Sequence, residues 1–419
     1  MQTWSTSVPN DTAPAEFALL LLCARTKLEE VDARRIEELL QQDVDWPRFV
    51  QQAIDHQVLP LVHRTLSGVP HDRIPQKVMG ELQNLSGVIL RHNLFLLSKL
   101  LQVVDLLGVH EIPMIPYKGP VVAALAYGNI GLRQFSDIDI LVSPARYFQA
   151  RDVLLENGYM LGREWGNEFA LVHELDGAHL DLHRAIMPRR IPFTPDFDAY
   201  QQRLRPIVVA GRQIESLGPE DTLIMLCAQM VKDGSGSRPL PLIKICDIAE
   251  LVRAYPDMDW QIVVREAKAL GCTGIVSFGL SMARQLLQAP VPDLALPAAS
   301  PRNLGILSRY VTDKLVNQWS PSYQDRLGAK RFHFKLRERW RDKLQPYFND
   351  LRGAVTPNAL DEEFLRLPRI LWPLYLFVRP IRLLRDRRER HQRGAEGDAT
   401  ATSNRRNSDA GPGPDSSNQ

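Results

Sequence analysis

Apolar residues recur at three- and four-residue steps over much of this chain, a pattern typical of amphipathic helices. The longest such pattern covers about 75–107. The same periodicity predicts further helices over 15–28, 33–42, 46–64, 145–157, 221–231, 242–254, 260–270 and 275–287. Asp45 stands where an aspartate can cap the helix that begins at Trp46.

The middle of the chain has a different pattern, which predicts strands. Residues 138–142 form a short apolar strand, 111–117 an edge strand with two prolines, and 119–127 a helix. The runs 169–175 and 178–186 flank Asp176-Gly177, a dipeptide that favours a tight type I′ hairpin turn. In the second run His179, Asp181 and His183 share one face, because strand side chains alternate.

These elements predict an α/β (α+β) fold, in which a mixed sheet core is flanked by helical regions. We expect a helical region at 1–108, the α/β core at 109–215 and a helical domain at 216–290. A basic helical region is expected at 291–393, and a proline-rich linker near 290–301 opens it. Residues 394–419 lack apolar anchors, which predicts a disordered tail.

Composition narrows the picture only slightly. The net charge of +2 over 419 residues indicates no particular class of partner. The four cysteines lie among aliphatic residues without metal-ligand spacing, which favours buried thiols in a reducing compartment. The amino-terminal residues lack the pattern of a secretory signal, and no uninterrupted apolar run reaches the ~20 residues that span a bilayer. We therefore expect a cytoplasmic protein.

The segment 365–393 mixes aromatic residues with many arginines. Such a segment can lie on an anionic membrane surface as a weak peripheral contact, or bind RNA through its phosphates. It can also be a helix that packs its aromatic side against the protein and leaves the arginines in water. The sequence leaves these three interpretations open.

Two aspartates interrupt the apolar strand at 138–142 and its approach. Asp137 and Asp139 are two residues apart, so their side chains lie on the same face. Burying two carboxylates together is costly, and a divalent cation relieves the repulsion. A solvent-facing strand that happens to carry two aspartates is the alternative. Asp181, on the second hairpin strand, is a candidate third carboxylate for a two-metal site.

Candidate phosphate contacts precede this pair. Lys118-Gly119-Pro120 follows a strand and opens a helix, a place where backbone N–H groups attract phosphate, although Lys-Gly can also be a simple turn. Arg133 lies in the loop 128–136 and could hold a phosphate or stand in solvent.

These residues resemble the uncharacterised nucleotidyltransferase family, within the DNA polymerase β-like nucleotidyltransferase superfamily. The resemblance is carried by YKGP at 117–120, Tyr127, GLRQFSDIDILV at 131–142, LDLH at 180–183 and LIKICDIAEL at 242–251. It implies that Asp137, Asp139 and Asp181 bind metal and catalyse, with Asp181 as base. It implies nucleotide contacts from Lys118, Gly119, Arg133, Ser136 and Lys244, and a substrate-orienting role for His183 and Asp247.

The predicted function is transfer of an NMP group from an NTP to an acceptor, with two Mg²⁺ ions and release of pyrophosphate. The acceptor could be a small molecule, a sugar, a peptide, a protein or RNA, and the preferred NTP is open. The alternative is a non-catalytic protein that keeps the fold to bind a nucleotide or a partner.

Overall fold

The computed structural model describes residues 14–316 apart from 71–72, 166, 188–192, 194, 235–239 and 297–300, together with 336, 365, 367–375, 378 and 380. The chain divides into two compact units, residues 1–343 and 344–419. The predicted tail at 394–419 lies outside the described residues, and the finer domain boundaries stay predictions.

Five helices open the first unit: α1 Ala15–Cys23, α2 Glu30–Leu39, α3 Trp46–Asp55, α4 Leu59–Ser67 and α5 Gln76–Val109. Asp45 caps α3 as expected, since its carboxylate accepts a hydrogen bond from the Arg48 N–H at 3.1 Å. The single helix predicted over 46–64 is wrong. Gln57 takes a left-handed φ of 59° and Pro60 enters the first turn of α4, so the chain forms two helices.

By length and composition, α5 is the one helix within the described ranges that could cross a membrane. This is weak evidence, because the core helix of a water-soluble protein passes the same test. Its buried face includes Leu82, Asn93, Leu96 and Leu100, and it packs against α4, α3 and the sheet's first strand.

The sheet has five strands: β1 Met114–Pro116, β2 Ile138–Val142, β3 Tyr159–Trp165, β4 Glu168–His173 and β5 His179–His183. Their order is β1-β2-β5-β4-β3. β2 and β5 are parallel, and the other neighbours are antiparallel, so the sheet is mixed as predicted. α6 Pro120–Val122 and a π-helical turn, Ala123–Tyr127, connect β1 to the loop before β2, and α7 Tyr147–Glu156 follows β2.

The predicted hairpin forms, but its turn is longer than expected. Val172 pairs with His179, and the His173 N–H donates to the Ala178 carbonyl at 2.9 Å, which leaves a loop of four residues, Glu174 to Gly177. Gly177 has a φ of +72°, whereas Asp176 is not among the described residues with positive φ. A type I′ turn needs positive φ at both central residues, so that prediction is wrong.

A second, two-stranded sheet was not predicted: β6 Arg205–Val209 and β7 Arg212–Ser216. Ala210 and Gly211, both at positive φ, join them in a two-residue turn. The buried Ser216 hydroxyl donates to the Pro116 carbonyl and ties this hairpin to β1. α8 Phe197–Gln201 precedes the hairpin.

Helices complete the first unit: α9 Pro219–Gly234, α10 Ile243–Ala254, α11 Trp260–Leu270, α12 Thr273–Leu287 and α13 Pro301–Val316. The predicted linker contains a 3₁₀ turn, Asp293–Ala295. All four cysteines are buried, as expected. β2 is buried along its whole length, which explains why its residues other than Asp139 are apolar.

Little of the second unit falls within the described residues. Arg369–Leu374 form a 3₁₀ helix, and the buried Tyr375 hydroxyl donates to the Leu365 carbonyl and accepts from the Leu367 N–H. The three interpretations of 365–393 stay open, since most of its arginines lie outside the described residues.

Candidate functional site

Polar side chains lie together on one face of the five-stranded sheet. Asp139 of β2 stands opposite Asp181 of the parallel strand β5. His183, two residues along β5, lies on the same face, and Glu168 of β4 stands opposite it. Strand register therefore brings three acidic residues and a histidine together from three strands.

Asp139 is buried, with 4% of its surface exposed. Its Oδ1 atom accepts from the Lys118 ammonium at 2.5 Å and lies 3.1 Å from His183 Nε2. Burial alone would raise the pKa of Asp139, but Lys118 and His183 outweigh it and hold that pKa well below its usual range. Asp139 is thus an anion in the folded protein.

The other two predicted carboxylates have raised pKa values. Burial, followed by the charge of Asp139, raises the pKa of Asp137. Burial, followed by Asp139, Glu168 and Asp137, raises the pKa of Asp181 to about 7. A carboxyl group with such a pKa can exchange a proton near neutral pH.

Three of these groups offer donor atoms to one cation. Ligand atoms of Asp139, Asp181 and His183 all lie within 4.8 Å of one another. Two carboxylates and an imidazole form a donor set that suits a divalent cation, so the residues present fit a divalent metal ion. Asp137 is outside this set, and its role as a metal ligand stays a prediction.

The Lys118-Gly119 turn packs directly against the acidic pair. Gly119 has a φ of +50°, and a Cβ atom there would stand 3.1 Å from the Asp137 carbonyl oxygen. Only glycine meets both conditions without strain. Glycine at this position lets the turn approach Asp137. The N–H groups of Val121 and Ala123 donate to the carbonyls of Lys118 and Gly119, so these two N–H groups are already used within the chain.

Arg133 and Asp247 bind each other. The Arg133 guanidinium donates to both Asp247 oxygens, Nε to Oδ1 at 2.7 Å and Nη2 to Oδ2 at 2.8 Å. The Tyr127 hydroxyl donates to the same Oδ1 atom at 2.8 Å. All three side chains are buried. A phosphate contact from Arg133 and a substrate contact from Asp247 stay predictions, but both groups already bind each other.

The loop before β2 is held from a second side. The buried Asn93 of α5 donates from Nδ2 to the Ile130 carbonyl at 2.7 Å and to the Arg133 carbonyl at 2.8 Å. The loop that leads to Asp137 is thus fixed between α5 and α10.

Lysines of the helical region approach the site as well. The charge of Lys244 on α10 partly offsets the rise in the pKa of Asp137. Lys244 also forms an ion pair with Asp233 at 3.1 Å. Burial, followed by the charge of Lys118, lowers the pKa of Lys232 on α9. Ser136 is exposed at the end of the loop. Nucleotide contacts from Lys244 and Ser136 stay predictions.

Sequence reasoning did not find Glu168 or the Tyr117 hydroxyl. Glu168 Oε2 lies 3.6 Å from His183 Nδ1. The Tyr117 ring contacts the His183 ring edge-on, with centroids 5.7 Å apart, and its buried hydroxyl has no hydrogen-bond partner among the described residues. Glu168 could have been found only from its pairing with His183 in the hairpin, and that pairing depends on a register that the sequence did not predict.

Comparison with known proteins gives one informative match. A family model described as "Uncharacterised nucleotidyltransferase" matches residues 42–288, more than half of the chain. No curated protein matches the sequence.

Two solved structures share distant similarity. The first is the antibiotic-resistance factor ANT(2'')-Ia, at 17% identity and a TM-score of 0.30, over 42% of this chain and 89% of that one. The second is an antigenic nucleotidyltransferase-like protein from Paracoccidioides brasiliensis, at 13% identity and a TM-score of 0.27, over 51% and 96%. Similarity at this level carries no argument about mechanism or substrate.

Proposed function

Because the chain belongs to the uncharacterised nucleotidyltransferase family, we propose that it transfers an NMP group from an NTP to an acceptor nucleophile. In this reaction an acceptor atom forms a bond to the α-phosphorus, and the bond from that phosphorus to pyrophosphate breaks. The acceptor's proton passes to a carboxylate of the protein. The observation that carries the proposal is the convergence of Asp139, Asp181 and His183 on one sheet face beside Asp137.

The acidic residues of the site bind metal and accept a proton in this proposal. Asp137, Asp139 and Asp181 would hold the divalent ions, Mg²⁺ in the sequence-based prediction. Bound there, such ions supply charge neutralisation for the phosphates and activation of the nucleophile. Asp181 would also accept the acceptor's proton, and in the metal-free protein its pKa is raised to about 7.

Cationic groups around the acids hold the triphosphate. Lys118 stands at Asp139, where it can also reach an oxygen of a bound phosphate. Gly119 lets the turn come close to Asp137, and Lys244 approaches from α10. The chemical class of the acceptor and a location in the cytoplasm stay predictions.

The test is an incorporation assay on the purified full chain. Each α-labelled NTP is supplied with Mg²⁺ and with cell extract as a source of acceptors. We expect labelled product that falls at least about a hundredfold in Asp137→Ala and Asp139→Ala, because the charge stabilisation is lost. Asp43→Ala, at an exposed loop position before α3, is the matched control and should keep full activity.

Two results would contradict the proposal. Incorporation that survives both substitutions places the chemistry elsewhere. Nucleotide binding without turnover for any NTP favours the non-catalytic alternative.

A further inference from the structure

His183 lies between two carboxylates, Asp139 and Glu168, and the proposed function gives its imidazole no role. Its Nε2 atom lies 3.1 Å from Asp139 Oδ1, and its Nδ1 atom lies 3.6 Å from Glu168 Oε2. The side chain is 5% exposed, and the Tyr117 ring packs against its edge. The imidazole is therefore held in one orientation from three sides.

Both ring nitrogens of His183 face carboxylates. An ionised carboxylate only accepts hydrogen bonds, so in the metal-free protein Nε2 donates to Asp139 Oδ1, while Nδ1 faces Glu168. A cation bound with Asp139 and Asp181 would take the place of the Nε2 proton, because a metal-binding imidazole nitrogen must be free of its proton. A carboxylate behind the far nitrogen of a histidine is the usual way in which proteins orient a metal-binding imidazole.

The spacing of the donor atoms agrees with this role. Adjacent ligands of an octahedral ion with bonds of about 2.1 Å lie about 3 Å apart. His183 Nε2 and Asp139 Oδ1 are 3.1 Å apart. Ligand atoms of Asp181 complete the set within 4.8 Å.

We propose that His183 is a nitrogen ligand of a divalent cation held with Asp139 and Asp181, and that Glu168 is the positioning residue that orients it. Mg²⁺ prefers oxygen ligands, whereas an imidazole nitrogen favours transition metals. This position therefore selects a divalent transition-metal ion over Mg²⁺, and Mg²⁺ enters with the nucleotide at Asp137 and Asp139. The inference rests on the proposed function for the presence of metal at this face of the sheet.

The first experiment needs no substitution. The full chain is produced with ¹⁵N-labelled histidine, freed of metal with a chelator, and loaded with Mn²⁺ as the probe. Pulsed electron paramagnetic resonance then reports any nitrogen bound to the ion. We expect a directly coordinated ¹⁴N signal in unlabelled protein that becomes a ¹⁵N signal in labelled protein.

Substitutions then assign the nitrogen. We expect His183→Asn to abolish the imidazole signal, and His179→Asn, an exposed histidine on the same strand, to leave it unchanged. Glu168→Leu should weaken Mn²⁺ binding about 10- to 100-fold, as loss of a partner behind a metal-bound histidine does. Glu168→Gln keeps an acceptor oxygen, so its Mn²⁺ affinity should lie between those of the unaltered protein and Glu168→Leu. The Mg²⁺ affinity should change little in both Glu168 variants.

The inference is overturned if Mn²⁺ does not bind, if it binds without a nitrogen signal, or if His183→Asn leaves that signal intact. Its failure is separable from failure of the proposed function. Nucleotidyl transfer with no nitrogen signal keeps the function and removes this role of His183. A His183 signal in a protein that transfers no nucleotide keeps the metal ligand and removes the function.

Discussion

Asp181 has a proton equilibrium near neutral pH, and this property links the chemistry of a single residue to the stability of the fold. Its pKa rises to about 7 because it is half-buried and because Asp139, Glu168 and Asp137 surround it. In the unfolded chain an aspartate has a pKa of about 3.9. Between these two values the folded protein holds a proton that the unfolded chain has released.

This difference makes Asp181 destabilising at high pH. The folded state binds more protons between about pH 4 and pH 7, so the contribution of this group to stability falls as pH rises through that range. In chelator at pH 8 we expect Asp181→Asn to raise the unfolding midpoint by about 1–2 °C, because about 1 kcal/mol shifts a domain of 150–250 residues by about 2–4 °C and this unit is larger. Thermal melts at pH 4 and pH 8 measure the effect, which should vanish at pH 4.

Asp43→Asn, at an exposed loop position, is the matched control and should melt with the unaltered protein at both pH values. Adding a divalent metal at pH 8 should stabilise the unaltered chain more than Asp181→Asn. Equal midpoints for the unaltered protein and Asp181→Asn in chelator at pH 8 would contradict this account of the site.

Single residues were the more predictable part of the site. Asp137, Asp139, Asp181 and Lys118 were chosen from short spacings and from the family resemblance, and the structure brings them together. Glu168 was missed because its place depends on strand pairing. A two-residue turn at Asp176-Gly177 would set Ala170 opposite His183, whereas the longer loop sets Glu168 there.

At the scale of elements, the buried contact between Arg133 and Asp247 joins the loop before β2 to α10. Breaking a buried ion pair leaves one charge without compensation, which costs about 3–5 kcal/mol. We expect Asp247→Asn to lower the free energy of unfolding by roughly that amount, as measured by urea denaturation. The double variant Arg133→Met with Asp247→Leu should recover much of the loss, because no buried charge then remains.

The exposed pair between Arg35 and Glu38 provides the comparison. Glu38→Gln removes an ion pair at the surface and should change stability by about 0–1 kcal/mol. If Asp247→Asn proved as mild as Glu38→Gln, the contact would not hold the loop to α10, and the predicted phosphate role of Arg133 would regain support.

Helices and strands were predicted correctly where the local pattern of apolar residues determines them. The helices with strong apolar periodicity and strand β2 appear close to their expected positions. The break at Gln57 and the β6–β7 hairpin were missed, because positive φ at Gln57 and at Ala210 is set by tertiary packing rather than by residue type. The pairing of β2 with β5 across α7 and two strands is likewise a non-local property.

At the scale of the whole molecule, the site lies inside the first unit, but that unit extends beyond the region matched by the family. The match ends at residue 288, whereas α13 packs on α12 and the Leu315 carbonyl accepts a hydrogen bond from His56 Nε2 at 3.2 Å. The Leu242 N–H donates to His56 Nδ1, so this buried imidazole connects α13 to the start of α10.

We therefore expect a fragment of residues 1–343 to unfold cooperatively at a midpoint close to that of the full chain, and to keep its metal and nucleotide affinities. A fragment of residues 1–288 should melt several degrees lower, because the His56 contact and the α13 packing are gone. Calorimetry and nucleotide titration compare the two fragments. Equal stability of both would show that α13 does not belong to the folded unit.

The pairing of Arg133 with Asp247 also affects the electrostatic potential at the candidate site. That guanidinium charge is cancelled inside the protein, and the Lys118 charge is largely matched by Asp139. Under the proposed function, the ionised fraction of Asp137 and Asp181 would repel a free triphosphate during diffusional encounter, and Lys244 would oppose that repulsion. A nucleotide complexed with its cation carries less negative charge and would be repelled less, so under that proposal we expect cation and nucleotide to reach the site together.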